Sequence, residues 1–193
     1  MGFDELVIKN RSYRGFDETY KVTRDDLVKM ISCARMTAST MNMQALKYCL
    51  CTDPELVNEI IGGVRFAGAL SELKLPGEGK KPTAFIVICQ DTNINENTNL
   101  FRIDVGIVAQ TILLKAAEMG LGGCMMSTFQ EEKLRETLSL PEKIVPMLVV
   151  AIGKPAEDIV IVDAEEGGSI KYYRNEKGTH FVPKRNVEEL ILF

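Results

Sequence analysis

The chain has 193 residues, 46% of them hydrophobic and 26% charged, and a formal net charge of −4. This is the composition of an ordinary soluble protein, long enough to bury a substantial core in one domain, and the acidic balance gives nucleic acid no footing. Charges interrupt every apolar run before it could span a membrane, and the opening Met1-Gly2-Phe3-Asp4-Glu5 lacks the basic and apolar regions of a signal peptide, so a cytoplasmic protein is expected.

Taken in chain order, residues 3–9 read as a short helix leading into Arg11-Ser12-Tyr13-Arg14. Thr23 can cap a helix running to about Met36, with Asp25 and Asp26 well placed in its first turn. A strand-like run covers residues 46–52, and Asp53-Pro54 opens another helix. Residues 62–82 are rich in glycine and proline and are expected to include a mobile loop. Residues 83–89 are a continuous apolar run that reads as a buried strand, and residues 91–99 as polar loop.

The best helix spans residues 102–119. Asp104, Thr111, Lys115 and Glu118 fall on a narrow polar stripe and apolar residues fill the rest, so burial on most sides is expected, with a second subunit as the natural cover. A short strand around residues 124–126, a helix over 131–138 and a buried strand over 145–152 follow. Beyond Gly153-Lys154-Pro155 the pattern weakens until residues 187–192. One domain over residues 1–193 is expected, with about 170–193 as a tail that wraps a partner.

Cys33, Cys49, Cys51, Cys89 and Cys124 are odd in number and lack small-scaffold spacing, so they read as small buried hydrophobes rather than a disulfide framework. His180 is the only histidine, which leaves no metal cluster, and it reads as a surface or interface residue without chemistry. No GxGxxG follows a strand, Gly77-Glu78-Gly79-Lys80-Lys81 lacks the rest of a phosphate loop, and no nucleophile–base arrangement can be proposed, so no catalytic side chain is named.

Four segments carry the chemistry. Arg11-Ser12-Tyr13-Arg14 offers two cations and a hydroxyl, which alone would read as a solvated basic patch. Ala38-Ser39-Thr40-Met41-Asn42-Met43-Gln44 is a polar loop between a helix and a strand. Gly122-Gly123-Cys124-Met125-Met126-Ser127-Thr128-Phe129 follows the long helix, and Gly178-Thr179-His180-Phe181-Val182-Pro183-Lys184-Arg185 lies near the end. A phosphate needs cations and N–H donors, and a flavin pyrimidine needs amide-type groups that donate and accept. With these segments the chain resembles the nitroreductase family of FMN-dependent oxidoreductases along nearly its whole length.

The resemblance implies an α+β fold, a central mainly antiparallel sheet flanked by helices, and a homodimer with exchanged C-terminal tails and FMN at the subunit interface. It assigns Arg11, Ser12 and Arg14 to the phosphate, ribityl chain and pyrimidine edge, with Lys184 and Arg185 completing the phosphate cradle. It assigns the loop with Ser39, Thr40, Met41, Asn42 and Gln44 to the flavin of the other subunit, and the backbone of Met126, Ser127 and Thr128 to its reacting edge at N5. Ala38, Ala45 and Leu46 stand where the family commonly has Pro, Pro and Trp, and Ser127-Thr128 where many relatives have Glu-Gly. The implied activity is ping-pong hydride transfer from NADH or NADPH through FMN to nitroaromatics, quinones or similar small molecules. The alternatives are a superfamily member with another reductive substrate, such as in dehalogenation or flavin breakdown, and a non-catalytic protein that stores or senses FMN.

Overall fold

The computed structural model describes residues 1–66 and 75–193, so the loop expected within 62–82 lies in part, at 67–74, outside the described residues. The chain divides into two compact units, Met1–Pro155 and Ala156–Phe193.

The first unit is built on a four-stranded sheet of β1 (Leu46–Cys51), β2 (Ala84–Asp91), β3 (Gly122–Met126) and β4 (Ile144–Gly153). The strand order is β1-β2-β4-β3 and every neighbouring pair is antiparallel. Strands β2 and β4 are central, and β2 is buried at every position but its last. A strand buried on both faces needs cover on both, and helices supply it. On one face Ala84, Ile86, Ile88, Val150 and Ile152 pack against α2 (Arg24–Ala34) and α4 (Arg102–Glu118). On the other, Phe85, Val87, Val149 and Ala151 pack with Val57 and Ile60 of α3 (Pro54–Ile61) and Leu134 of α5 (Glu131–Thr137). The expected α+β fold, with a mainly antiparallel sheet flanked by helices, is the one observed.

Local chemistry sets the helix ends. Thr23 Oγ accepts the Asp26 N–H at 3.2 Å and the Asp26 carboxylate accepts the Thr23 N–H at 3.1 Å, a reciprocal capping box on α2. Asp53 Oδ1 accepts two N–H groups of the first turn of α3, with Pro54 at its first position. Gly120, at φ +76°, closes α4 in a backbone conformation that favours glycine. No helix among the described residues is long and apolar enough to cross a membrane.

All five cysteines are free. Cys51, Cys89 and Cys124 are buried as expected, whereas Cys33 and Cys49 are only half-buried. Burial pushes the Cys51 thiol up to about 12, while a hydrogen bond with Cys89 draws Cys49 down to about 7.

The second unit holds elements that local pattern does not reveal. β5 (Ile159–Asp163), β6 (Tyr173–Arg174) and β7 (His180–Lys184) form a three-stranded sheet in the order β5-β7-β6, and α6 (Val187–Leu190) follows. The β5–β7 pair is parallel and its partners are about twenty residues apart, as with Ile159 and His180. His180 corrects the expectation of a surface residue: it is 1% exposed, its ring lies 5.2 Å from that of Tyr172, and its N–H bonds the Asp158 carbonyl.

A small helix, α1 (Phe3–Lys9), precedes the segment that positions Arg11 and Arg14. Ser12 forms a parallel bridge with Gly123, and the Tyr13 N–H bonds the Gly123 carbonyl at 3.0 Å. Only glycine fits there: a Cβ on Gly123 would run into the Ala151 carbonyl oxygen and come within 2.7 Å of Leu113 Cδ2, and one on Gly122 would strike the Tyr13 ring. Overpacking of this kind costs about 1–3 kcal/mol, and a fixed carbonyl relaxes less than a side chain. Gly123→Ala should therefore lower the unfolding free energy by at least that range in urea titration. An unchanged denaturation midpoint would mean that the β3 edge is looser than described.

Candidate functional site

Residues 39–44 are held by a buried carboxylate. Asp104, in the first turn of α4, is 2% exposed and accepts three hydrogen bonds from this loop. Its Oδ2 takes the Ser39 hydroxyl at 2.8 Å and the Thr40 N–H at 2.9 Å, and its Oδ1 takes the Thr40 hydroxyl at 2.6 Å. Ser39 Oγ in turn accepts the Gln44 N–H at 3.1 Å, so the carboxylate organises the loop at both ends. Asp104 therefore does not share a solvated stripe with Lys115 and Glu118, as its helical spacing suggests.

The loop so held is strained. Met41, Asn42 and Gln44 have φ of 48°, 53° and 50°, in the left-handed region that costs non-glycine residues about 1–3 kcal/mol each. Three such residues in four persist only where the surroundings over-determine them, and here Asp104 and Ser39 do so. Asn42 Oδ1 accepts from Gln44 Nε2 at 3.2 Å. That leaves Asn42 Nδ2 and Gln44 Oε1 without a partner among the described residues, a donor and an acceptor on exposed side chains. The Ser39 and Thr40 hydroxyl protons, by contrast, are committed inward. A cavity of about 150 Å³ lies behind the loop, lined by Arg35, Thr37, Leu46, Tyr48, Asp104 and Val108 among others.

The second cluster lies along β3. Arg11 Nη2 donates to the Val7 carbonyl at 2.6 Å, while its Nε is buried without a partner among the described residues. Burial pulls the guanidinium below its ordinary value, and the neighbouring Tyr13 phenol acts the other way. Such a partly desolvated cation favours an anion beside it. Arg14 Nη1 donates to the Ser12 carbonyl at 3.3 Å. Beyond β3, Ser127 and Thr128 are exposed and Met126 is buried. The strip they begin is fixed to the end of α3 by an antiparallel Val64–Phe129 bridge, with Arg65 N–H on the Thr128 carbonyl and Gln130 N–H on the Gly63 carbonyl. Ser12 thus bridges the start of β3, Met126 ends that strand, and Ser127 and Thr128 follow it.

These two clusters lie at opposite edges of the sheet, one before β1 and one on β3. Four strand spacings, counting the Ser12 bridge outside β3, and the six residues between the Ala84 and Gln90 levels of β2 put Ser12 and Leu46 about 28 Å apart. Lys184 ends β7 in the second unit, with Arg185 following, both exposed. Among the described residues no group of three or more His, Cys, Asp or Glu could hold a metal ion.

Comparison with known proteins settles the family. The nitroreductase family profile matches residues 7–154. The chain belongs to the nitroreductase family. A nitroreductase family protein of Clostridium novyi NT has a solved structure that superposes with a TM-score of 0.67 at 25% identity, covering 80% of this chain and 87% of that one. A nitroreductase family protein of Streptococcus pneumoniae TIGR4 shares the fold over 100% of both chains, with a TM-score of 0.73 at 17% identity. Among curated relatives, the FMN reductase (NADPH) of Bacillus subtilis strain 168 is 26% identical over 172 residues, 79% of this chain but 65% of that longer protein.

In this nitroreductase the residue that sequence reasoning missed is Asp104. Spacing assigned it to the polar stripe of α4, and its partners lie about 65 positions away in the chain. The one available signal was an acidic residue in the first turn of an otherwise apolar helix. Burial pushes its carboxyl up, but the Thr40 and Ser39 donors outweigh this and hold it below the ordinary 3.8. A depressed carboxyl stabilises the fold fully above its unfolded value, and the contribution fades as pH falls through the folded value. The stability gap between wild type and Asp104→Ala should therefore stay flat from about pH 7 to 5 and shrink only below 3.8, read by urea denaturation across pH. A gap already closing near pH 6 would assign the interaction to another group.

Proposed function

We propose that this protein is a homodimeric NAD(P)H:acceptor oxidoreductase whose acceptors are electron-poor small molecules such as nitroaromatics and quinones. Family membership supports FMN as cofactor and NAD(P)H as reductant, and the Bacillus subtilis relative carries both in its name. Bound FMN would supply the redox chemistry, a ping-pong hydride exchange at N5 between the nicotinamide and the acceptor.

The residues present fit that cofactor. The observation that carries the reading is the strained loop at residues 41–44, which presents the Asn42 and Gln44 carboxamides with a free donor and a free acceptor. A pyrimidine edge needs that pairing. Arg11, with its partly desolvated guanidinium and unpartnered Nε, suits the phosphate, and Ser12 and Arg14 stand beside it. Lys184 and Arg185 add two further cations, and a phosphate is well served by several charge-assisted donors. The backbone at Met126, Ser127 and Thr128 is the place for a fixed donor toward N5, which would stabilise charge on the reduced ring without a titrating side chain.

A second copy of the chain explains how the clusters meet. Segments about 28 Å apart on one sheet cannot both line one flavin ring, whereas two chains related by a twofold axis can bring residues 11–14 of one to residues 39–44 of the other. Ile103 on the outer side of α4 is 74% exposed and Phe3 on α1 is 71% exposed, an apolar surface suited to such contact. The exposed Val187, Leu190, Ile191, Leu192 and Phe193 suit a tail that wraps the partner.

An anaerobic absorbance spectrum tests the whole reading. The purified dimer should show a flavin band that bleaches with NADH or NADPH and returns with a nitroaromatic or quinone. A band that never bleaches would favour the storage alternative, and protein that stays colourless after incubation with FMN would defeat the proposal. The phosphate assignment has its own test. Replacing Arg11 and Arg185 together with Ala should give folded, colourless protein, and a fully yellow double variant would reject it.

A further inference from the structure

We infer that Asp104 is a positioning residue for the cofactor: its buried carboxylate holds residues 39–44 in the one conformation that presents Asn42 and Gln44 to the flavin. The inference rests on the FMN reading above and adds to it a residue that does not touch the cofactor. The loop cannot hold its shape alone. Met41, Asn42 and Gln44 are all in the left-handed region, and a free chain would leave it. Three donors converge on Asp104 from two adjacent residues, Ser39 and Thr40. A single carboxylate with two oxygens can satisfy all three, and it is itself 2% exposed.

The second step is a relay. Because the Ser39 hydroxyl spends its proton on Asp104, its oxygen lone pairs face the other way and accept the Gln44 N–H. Gln44 is thereby fixed at the far end of the strained stretch, and its side chain donates back to Asn42. Beyond it, Ala45 is buried and its carbonyl accepts the Asp91 N–H at 2.8 Å, which ties the loop to β2. Asp104 thus sets the orientation of two carboxamides through Ser39, in a loop where the family's rigidifying prolines are replaced by Ala38 and Ala45. A protein without the carboxylate would have to rebuild the strained turn each time FMN binds, and its apparent affinity would fall by the fraction of chains in the competent shape.

The experiment compares wild type, Asp104→Ala, Asp104→Asn and the double variant Ser39→Ala with Thr40→Val. For each full-length protein it reads the FMN dissociation constant by flavin fluorescence quenching, the visible flavin spectrum and reduction potential, and the melting temperature of the cofactor-free form. Asp104→Ala should weaken FMN binding by about tenfold or more and shift the flavin potential, because buried donors lose their acceptor and the carboxamides lose their aim. Asp104→Asn should stay close to wild type. Its carboxamide oxygen can take the Ser39 hydroxyl and Thr40 N–H while its NH₂ donates to Thr40 Oγ, so rescue by Asn separates positioning from a purely electrostatic role. Should Asp104→Ala fail to fold, the Ser39 and Thr40 double variant removes the two hydroxyl contacts from the loop side, leaving the Thr40 N–H, and should show a loss in the same direction.

An Asp104→Ala protein, or in its place the double variant, that binds FMN with wild-type affinity and spectrum would overturn the inference while leaving the FMN reading intact. So would a lowered melting temperature with affinity and potential unchanged, since that is a structural role alone. Equal losses in Asp104→Ala and Asp104→Asn would overturn it in favour of charge. A wild-type protein that takes up no FMN would defeat the FMN reading, and this inference with it.

Discussion

Burial of β2 and β4 on both faces is the constraint from which the first unit follows. Side chains such as Phe85, Ile86, Val87 and Ile88 gain about 1.5–3 kcal/mol each when taken from water, but only if both sides of the sheet are covered. Cover on one face comes from α2 and α4, and on the other from α3 and α5. With the centre of the sheet so enclosed, the surfaces left to a ligand are its margins. The polar loop before β1 and the basic segment along β3 are where they are because β1 and β3 are the edge strands. The distance between the two clusters is a consequence of the core, and the core cannot be changed to shorten it.

Helix α4 couples that core to the site. Its inner face carries Val105, Val108, Ala109, Ile112 and Ala116 onto the sheet. The same rotation turns Asp104 inward beside Val105, at the edge where the loop arrives. A carboxylate there is disfavoured by its loss of water, and only dense hydrogen bonding can keep it ionised. Three donors suffice, since the group ends up more acidic than in water rather than less. The loop and the helix therefore depend on each other: the loop supplies the donors that make the buried charge tolerable, and the charge makes the strained loop tolerable. Tyr48 pays a small part of this, as burial and the nearby Asp104 charge both raise its phenol.

Much of this architecture is legible in the sequence, for physical reasons that also mark where legibility ends. Strands β2 and β4 are uninterrupted apolar runs, α2 and α3 begin on side chains that cap them, and α4 is closed by a glycine, so local chemistry reveals each of them. The sheet of the second unit is different. Ile159-Val160-Ile161-Val162 is only four residues long, is half-buried or exposed throughout, and pairs in parallel with a strand about twenty residues on, so nothing local distinguishes it from loop. His180 misleads in the same way, because its burial comes from β5 and Tyr172 rather than from its own neighbours. Asp104 is the most consequential case. A helical wheel places it with Lys115 and Glu118, and only the tertiary fold reveals the loop waiting to donate to it. The residues assigned to a ligand match recognisable motifs, whereas the residue that holds their loop depends on packing and matches none.

The outer side of α4 bears on the same problem. Its apolar residues were expected to need more cover than one chain provides, and Ile103 indeed projects 74% exposed while α1 beside it leaves Phe3 and Ile8 to solvent. An apolar surface on the helix whose first turn organises one site cluster, and whose C-terminal end leads into the strand of the other, is placed between the two halves of the site. Contact between two chains through that surface would bury it and would set the loop of each against the basic segment of its partner. A twofold arrangement does this twice, giving two complete sites from four incomplete halves. Assembly and cofactor binding would then be one equilibrium: the dimer would create the cavity, and the cofactor, touching both chains, would strengthen the dimer by mass action. On this argument a monomer of the protein would be a well-folded scaffold for half of two different sites, and redox activity would belong to the pair.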